Sequence, residues 1–457
     1  MRLSLFGTDG VRGIPGRPPL TADLVRRLGA AAAGVFLERR AKRLREVPRG
    51  TVPFILGGRD TRSSGGSLSR ALAEGFEAAG CRLHDLGVAP TPAVSYLASR
   101  LGALCGVVVS ASHNPPEFNG IKFFTADGFK APVDVEEGIE ARLAGPAPVV
   151  KPPRVVRRPE AMGLYADFLK SSFPADRDLS RLRIVLDCAN GAAARLAPAL
   201  LRGLGAEVFP IGCAPDGSNI NTGCGATHTE RMRAEVLRRR AHCGIALDGD
   251  ADRVLMADER GRLLDGDTLI ALLAGYLRGR GLLRGDAVVV TVMSNLGLVR
   301  HLEGQGIRVV QVAVGDRNVT DALEAGGYSL GGENSGHIIQ RHLGPTGDGL
   351  LNALQILAAW LRLGGRLSRL QRLYVRYPQV LRNVRVQRRV PVSELPRFGR
   401  RLRRAEAALG SSGRVFVRYS GTEPLLRILV EGSDGAVTRR LAGELASVFE
   451  NEAKERQ

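Results

Sequence analysis

The sequence predicts an α/β protein: three tandem α/β domains with mixed, mainly parallel sheets, followed by a smaller C-terminal α+β domain. Three observations predict it. A strand–turn–helix–strand pattern recurs three times, a proline-rich stretch follows the first copy, and the pattern is lost toward the C-terminus. At 457 residues the chain is too long for one core, and about 150 residues per domain gives three or four.

The first copy runs from Phe54-Ile-Leu-Gly-Gly-Arg-Asp60 through a helix-like stretch to Gly80, then into Cys81-Arg-Leu-His-Asp-Leu-Gly87. The second is Arg183-Ile-Val-Leu-Asp-Cys-Ala-Asn-Gly191, a helix to Gly205, and Ala206-Glu-Val-Phe-Pro-Ile-Gly212. The third is Ala287-Val-Val-Val-Thr-Val-Met-Ser-Asn295, a short helix to Gly306, and Ile307-Arg-Val-Val-Gln-Val312. Each reads as a buried strand, a turn of small residues, an amphipathic helix stopped by glycine, and a second strand. That is a βαβ unit, which demands parallel pairing.

Gly145-Pro-Ala-Pro-Val-Val-Lys-Pro-Pro153 cannot sit inside a sheet or helix, so it marks a linker. A second boundary is expected near Asp258-Glu-Arg-Gly261, and a helix ending at Leu363-Gly-Gly365 closes the third domain. The expected domains are 1–150, 151–257, 258–368 and 369–457. The last has short strands around Val384-Arg-Val386 and Val415-Phe-Val417 and a terminal helix from about Ala436.

Composition narrows the function classes. No apolar run reaches membrane-span length, and the first residues lack the apolar core of a signal peptide, so a cytoplasmic location is expected. The six cysteines are scattered without a C-x-x-C pair and read as reduced core or loop thiols. Lys and Arg total 65 against 46 Asp and Glu, a net charge of +19, which raises the question of nucleic acid. Aromatics are only 5%, which leaves few stacking platforms, and the arginines are dispersed. Arg238-Arg-Arg240 and Arg400-Arg-Leu-Arg-Arg404 read as solvated helix faces. An arginine-rich surface suits small anionic substrates.

Five motifs carry chemistry. Ala111-Ser112-His113-Asn114-Pro115-Pro116 follows the strand Cys105–Ser110, so Ser112 stands in a turn at a strand's carboxyl end, where α/β sheets place ligands. A Ser/Asn turn without chemistry is the competing reading. In Asp248-Gly-Asp250-Ala-Asp252-Arg253 three carboxylates alternate with small residues after the strand Gly244–Leu247. Two unit charges 4 Å apart repel by roughly 4 kcal/mol at an effective dielectric near 20, so converging aspartates call for a cation. Oxygen ligands indicate Mg²⁺ or Ca²⁺. An EF-hand would put its last ligand at Glu259, but its turn glycine is replaced by Arg253 and the flank Val254-Leu-Met-Ala257 is strand-like.

Gly331-Gly-Glu333-Asn334-Ser335-Gly-His337 brackets polar groups suited to sugar hydroxyls and amines with glycines. Arg418-Tyr-Ser420-Gly421-Thr422-Glu-Pro-Leu-Leu-Arg427 places two arginines beside exposed backbone N–H groups, a composition suited to a phosphate monoester. Phe6-Gly-Thr-Asp-Gly-Val-Arg12-Gly13 opens the chain with an arginine able to face an anion, and Gly58-Arg-Asp-Thr-Arg-Ser-Ser-Gly65 has the same character. Lys122 is a further cation close in sequence to Ser112.

F-G-T-D-G-V-R-G, S-A-S-H-N-P, D-G-D-A-D-R, G-E-N-S-G-H and R-Y-S-G-T-E-P occur in that order along nearly the whole chain. This combination resembles the α-D-phosphohexomutase superfamily. The opening motif, Asn219-Ile-Asn-Thr-Gly-Cys-Gly-Ala-Thr-His228 and Thr291-Val-Met-Ser-Asn-Leu-Gly297 look like its glucosamine branch, the phosphoglucosamine mutases.

The resemblance implies four domains around a central cleft. It implies a phosphoserine at Ser112, with Mg²⁺ held by its phosphate and by Asp248, Asp250 and Asp252. Glu333 and Ser335 would bind the sugar, with Arg253 and Asn334 in the substrate set. Arg418, Ser420, Gly421, Thr422 and Arg427 would hold the phosphate that is not reacting. The general base stays open among His113, Lys122, Arg12 and the metal-bound carboxylates, and a structural hydrogen bond to its own turn competes for His113.

The implied reaction interconverts glucosamine 6-phosphate and glucosamine 1-phosphate through a bound glucosamine 1,6-bisphosphate, with glucose 1,6-bisphosphate as an alternative activator. It would feed UDP-N-acetylglucosamine and cell-wall synthesis. A homodimer is compatible with it, and neither nucleic acid nor membrane is implied. Two positions depart from the branch: Asn334 stands where glutamine is expected and Tyr419 where proline is common. The rival readings are a phosphomannomutase or phosphoglucomutase with the same machinery, a phosphatase, and a non-catalytic phosphosugar or nucleic-acid binder.

Overall fold

The computed structural model describes residues 5–7, 9–43, 52–145, 147, 149, 152–419 and 424–454. The chain divides into two compact units, one of residues 1–293 with 307–373, the other of residues 294–306 with 374–457.

The first unit carries three sheets. The first contains β1 (Val11–Gly13), β2 (Phe54–Arg59), β3 (Arg82–Val88), β4 (Cys105–Val109), β5 (Asn119–Phe124) and β6 (Val155–Arg157), in the order β1-β5-β4-β2-β3-β6. The second contains β7 (Arg183–Asp187), β8 (Glu207–Ile211), β9 (Cys243–Leu247), β10 (Val254–Asp258) and β11 (Leu263–Leu264), in the order β11-β10-β9-β7-β8. The third contains β12 (Ala287–Thr291), β13 (Arg308–Val312), β14 (Leu330–Gly332) and β15 (Ile338–Gln340), in the order β13-β12-β14-β15.

All three expected βαβ units form, with β2–β3, β7–β8 and β12–β13 each pairing in parallel. Antiparallel pairs join β4 to β5, β9 to β10 and β14 to β15, so each sheet is mixed. β4, β9 and β12 are buried along their whole length. This is why they read as continuous apolar runs with no alternation.

Two boundaries differ from expectation. The proline-rich stretch leads into β6, which pairs with β3 and extends the first sheet past residue 150. A three-residue parallel edge strand carries almost no pattern of its own. The turn at Asp258–Gly261 likewise lies inside the second sheet, between β10 and β11. Helix Gly349–Leu363 ends where glycines predicted, and Asp348 caps its start by accepting the Leu351 N–H at 2.9 Å.

The second unit holds one antiparallel sheet of β16 (Gln379–Arg385), β17 (Gly413–Tyr419) and β18 (Leu425–Gly432), in the order β16-β18-β17. Helices Pro396–Leu409 and Gly435–Lys454 supply its core, where Phe398 and Phe449 meet edge-on with Val384, Leu426 and Ile428. Helix Leu296–Gly304, the crossover between β12 and β13, belongs to this unit: Glu431 accepts the Leu296 N–H at 2.8 Å, and Asn295 bonds both ways with the Tyr377 backbone. Tyr419 has a local use, its hydroxyl donating to the Val390 carbonyl and accepting the Val390 N–H.

The basic stretches are helix faces. Arg238 and Arg239 lie exposed beside Glu235, and Arg400, Arg403 and Arg404 are exposed on helix Pro396–Leu409. No helix among the described residues is long and apolar enough to cross a membrane.

Candidate active site

The strand β4 delivers Ser112 into a turn with left-handed backbone, φ +51°. A side chain in that region is strained by about 1–3 kcal/mol unless its surroundings hold it there. They do. Ser110 donates to Asp60 at 2.6 Å and accepts the Ser112 N–H at 2.9 Å. The Arg62 guanidinium is wholly buried and reaches the carbonyls of Ser112 (3.1 Å), Asn114 (2.7 Å), Phe118 (2.9 Å) and Pro115, while Asp60 accepts from its Nε at 2.9 Å. Asn221 Nδ2 donates to the same Ser112 and Asn114 carbonyls at 2.9 and 3.1 Å.

Strand β9 delivers the aspartates to the same place. Gly249 is required there, because a Cβ on it would lie 2.7 Å from the Ser112 carbonyl oxygen. Ser112 Oγ donates to Asp248 Oδ2 at 2.7 Å and lies 3.3 Å from His113 Nδ1. Asp250 accepts from the Thr91 hydroxyl at 2.7 Å and from Lys122 at 3.2 Å. Lys122, on β5, also lies 3.0 Å from Asp9 and 3.8 Å from Asp252. Arg12 donates to Asn114 Oδ1 at 3.1 Å and pairs with Asp9. His337 Nδ1 lies 3.7 Å from Asp252.

These charges shift one another. Burial opposes the charge on Lys122, yet Asp250, Asp9 and Asp252 together hold it protonated well above the usual lysine range. Burial, aided by Arg253 and Arg12, pushes His113 down to about 3, so its ring is neutral near pH 7. His337 moves the other way, up to about 9: burial opposes its charge, but Asp252, Asp316 and Glu333 together outweigh it. Asp248 is pushed up by burial and by repulsion from Asp252 and Asp250. Asp252, although buried, is held low by His337, Lys122 and Arg253.

A hard cation fits this cluster. One oxygen from each of Asp248, Asp250 and Asp252 lies within 4.8 Å of the others, and all three residues are buried. Asp250 Oδ1 is buried and accepts no hydrogen bond, and Asp252 Oδ1 accepts none either, meeting only the more distant His337 Nδ1 at 3.7 Å and Arg253 Nε at 3.9 Å. Such orphaned oxygens are costly unless something positive meets them. The EF-hand alternative fails on topology: the loop joins antiparallel strands β9 and β10, and Glu259 instead accepts the Ser368 N–H at 3.0 Å.

The loop Glu333–Ser335 lies between β14 and β15 and is laced to the strand leaving the aspartates. Val254 N–H donates to the Gly336 carbonyl at 3.0 Å, and Arg253 bridges His337. Glu333 accepts from Gly315 N–H at 3.0 Å and from Ser335 at 3.4 Å. The Asn334 carbonyl accepts the Gly266 N–H at 3.0 Å. The carboxylates of Asp252, Asp248 and Glu333 hold Arg253 firmly protonated against its burial.

In the second unit Arg418 and Arg427 stand opposite each other across β17 and β18. Ser420, Gly421 and Thr422 lie outside the described residues.

Ser112, His113, Arg12, Lys122, the three aspartates, Arg253 and the Glu333 loop are therefore brought together within the first unit. Several partners carried no sequence signal for their role. Thr91 merely starts a helix, and Arg62, in a motif that reads like an anion site, points into a cage of carbonyls instead. Arg59 from the same motif pairs with Asp85 at 3.1 Å.

Comparison with known proteins covers nearly the whole chain. Residues 3–147 match the family model described as phosphoglucomutase/phosphomannomutase, alpha/beta/alpha domain I; residues 164–261 match domain II, residues 265–377 domain III, and residues 381–448 the C-terminal domain. A phosphoglucosamine mutase of Syntrophotalea carbinolica is 46% identical over 456 residues, covering 98% of both chains. One of Paracoccus denitrificans is 45% identical over 456 residues, covering 99% of this chain and 100% of that one.

Among solved structures, a phosphoglucomutase/phosphomannomutase family protein from Burkholderia thailandensis superposes with a TM-score of 0.81 at 24% identity, covering 98% of this chain and 97% of that one. The N-acetylphosphoglucosamine mutase of Aspergillus fumigatus, solved with GlcNAc-6P and magnesium, gives a TM-score of 0.67 at 18% identity, covering 98% and 96%, a likeness of fold. With a serine turn and a buried aspartate triad in contact, and full-length relatives at this identity, the chain belongs to the phosphoglucosamine mutase family of phosphohexomutases, which are isomerases.

Proposed function

We propose that the protein interconverts glucosamine 6-phosphate and glucosamine 1-phosphate, with Ser112 as the phosphate carrier and a glucosamine 1,6-bisphosphate bound between the two half-reactions. The observation that carries this reading is the 2.7 Å contact between Ser112 Oγ and buried Asp248, beside two carboxylate oxygens that accept no hydrogen bond. Phosphorylated Ser112 hands its phosphoryl group to a sugar hydroxyl. The sugar turns over, and the phosphoryl group at its other end returns to the serine.

The residues divide the work. Asp248, Asp250 and Asp252, with the phosphate of Ser112, would hold Mg²⁺. When bound, the ion supplies positive charge against the developing charge of phosphoryl transfer. Lys122 and Arg12 are fixed cations for phosphate oxygens, since neighbouring carboxylates keep Lys122 charged. His113 is neutral and 3.3 Å from Ser112 Oγ, placed to orient the hydroxyl or take its proton. Glu333, Asn334, Ser335 and Arg253 meet the sugar. Arg418 and Arg427, with Ser420, Gly421 and Thr422, take the phosphate that is not reacting. Glucose 1,6-bisphosphate can serve as activator.

We also place the protein in the cytoplasm, compatible with a homodimer and without nucleic-acid or membrane partners, in the supply of UDP-N-acetylglucosamine, and keep a division into four domains near 1–150, 151–257, 258–368 and 369–457, with β6 joining the first domain and β11 the second. The four family matches support the number and order of the domains. Coupled assays on the 6-phosphates of glucosamine, glucose and mannose, with Mg²⁺ and a bisphosphate, test the substrate. Much faster turnover of the glucose or mannose phosphate overturns the glucosamine assignment and leaves a phosphoglucomutase or phosphomannomutase.

A further inference from the structure

Strands β7 and β8 lie side by side in parallel, with Asp187 opposite Ile211. Cys188 follows β7 at once, and Cys213 stands two residues beyond Ile211. Gly212 turns the chain between them with φ +58°, where a Cβ would lie 2.5 Å from Asp187 Oδ1. The turn brings Cys213 Sγ to 3.3 Å from the Ile211 carbonyl oxygen, which also accepts the Cys188 backbone N–H at 3.1 Å. The Cys213 sulfur and the Cys188 backbone N–H thus converge on one carbonyl oxygen, which sets the two cysteines side by side at the ends of β7 and β8. Cys188 is buried and Cys213 is partly exposed. Two cysteines 25 positions apart in sequence are thus neighbours in space, and one of them meets solvent.

We propose that Cys188 and Cys213 are a redox modification site, in which a peroxide oxidises Cys213 and Cys188 then closes a disulfide across the ends of β7 and β8. The Cys213 sulfur attacks the peroxide, takes up one oxygen as a sulfenic acid and releases water. The Cys188 sulfur attacks that sulfur, the S–S bond forms, the S–O bond breaks, and a second water leaves with the Cys188 proton. Two thiols lose two electrons and the peroxide gains them; a dithiol reverses the change. The contact with Cys188 also lowers the Cys213 pKa, which favours the attacking thiolate.

The pair is tied to the serine loop. Ala189 and Asn190, next after Cys188, are left-handed at φ +55° and +49°. Asn190 N–H donates to the Gly212 carbonyl at 2.6 Å, and Asn190 Oδ1 accepts the Ala214 N–H at 3.1 Å. The Ala189 carbonyl accepts the Asn221 N–H at 2.9 Å, and the Asn221 side chain holds the Ser112 and Asn114 carbonyls. A covalent bond between the two sulfurs in place of two separate thiols ties the turns after β7 and β8 together and moves the anchor of Asn221. Oxidation therefore slows phosphoryl transfer without touching a substrate group. This last link rests on the mutase reading above; the disulfide itself does not.

The test treats the full-length protein with dilute hydrogen peroxide, blocks remaining thiols by alkylation, and maps peptides by mass spectrometry while mutase rates are followed. The expected result is a Cys188–Cys213 cross-link with the other four cysteines alkylated, a rate lowered several-fold, and recovery of both with dithiothreitol. Cys213→Ser, or Cys213→Ala should the first fold poorly, keeps its rate under peroxide. Cys188→Ser accumulates a Cys213 sulfenic acid that dimedone labels. Alkylation of both cysteines after peroxide overturns the proposal, as does a cross-link from Cys213 to Cys224 instead. A reversible cross-link with no change in rate removes the tie to Ser112. A protein that cross-links as expected but never shows mutase activity leaves the modification standing and removes the functional reading, so the two failures are separable.

Discussion

The serine loop and the aspartate loop both leave the ends of buried strands and touch each other, but their side chains are held in different ways. The serine loop is held through its backbone. Four of its carbonyls converge on the Arg62 guanidinium, and Asn221 adds two more bonds to the same oxygens. The aspartate loop has backbone ties too, its Gly249, Asp250 and Ala251 carbonyls accepting the Ala192, Thr91 and Gly349 N–H groups at 2.8, 2.9 and 2.9 Å, but it adds side chains whose negative charges are balanced by Lys122, Arg253 and His337. The first arrangement fixes a left-handed serine whatever the charge state of its side chain. The second is a balance of three carboxylates against three cations that still leaves a buried Asp250 oxygen without a hydrogen bond, where a further cation would fit. A group that gains and loses a phosphate benefits from the first kind of support, and a metal site from the second.

Four experiments break or sharpen this contrast. The largest effect is expected from Ser112→Ala, which removes the carrier but none of the carbonyl bonds. Activity in the coupled assay falls by roughly 10⁴-fold or more, while the thermal midpoint stays near wild type. An active Ser112→Ala enzyme excludes the carrier role.

Arg62→Met attacks the backbone support. It strands buried Asp60 without its cation and unties the loop, so stability drops by about 3–5 kcal/mol in denaturant titration and activity falls with it. An unchanged midpoint would show that Arg62 is not what holds the turn.

Asp348 provides a buried carboxylate outside the cluster for comparison. Its described partners are the Tyr165 hydroxyl at 2.7 Å and the Leu351 N–H, and burial raises it to about 6 from 3.8. A raised carboxyl pKa means that its stabilising contribution is complete below about pH 4 and is lost as pH rises through 6. Two units correspond to roughly 3 kcal/mol. Asp348→Asn keeps the cap and flattens that part of the stability profile between pH 4 and pH 7; an unaltered profile counts against the assignment.

The smallest effect on stability concerns the ion. Mg²⁺ at a hundred times its Kd raises wild-type stability by about 2.7 kcal/mol, and a chelator stops turnover. Asp248→Asn relieves the repulsion from Asp250 and Asp252, so the metal-free protein becomes more stable while its response to Mg²⁺ shrinks. A full Mg²⁺ response in that variant would sink the ligand assignment.

Much of this was legible in the chain. The apolar runs Phe54–Leu56, Ile184–Leu186 and Val288–Val290 with glycine-stopped helices behind them announced parallel sheets, because a βαβ crossover buries a strand on both faces. Asp248, Asp250 and Asp252 announced a converging acidic cluster, because they alternate with small residues in a turn that leaves a buried strand. β6 was not legible, since three residues cannot show a period. Nor was the cage around Ser112: Arg62 and Asn221 are 50 and 109 positions from it, and neither residue type at those positions implies a carbonyl ligand.

By itself the sequence determined the strand–helix grammar, the serine turn, the acidic loop and, through the order of its motifs, the family. Local propensity and charge are properties of neighbouring residues, so they can be read along the chain. Only the tertiary structure decided which cations answer which carboxylates, that His113 is neutral while His337 is charged, and that Cys188 and Cys213 share one carbonyl. Those outcomes depend on distances of 3–4 Å between residues far apart in the chain and on burial that no single segment creates, and both arise only when the sheets pack.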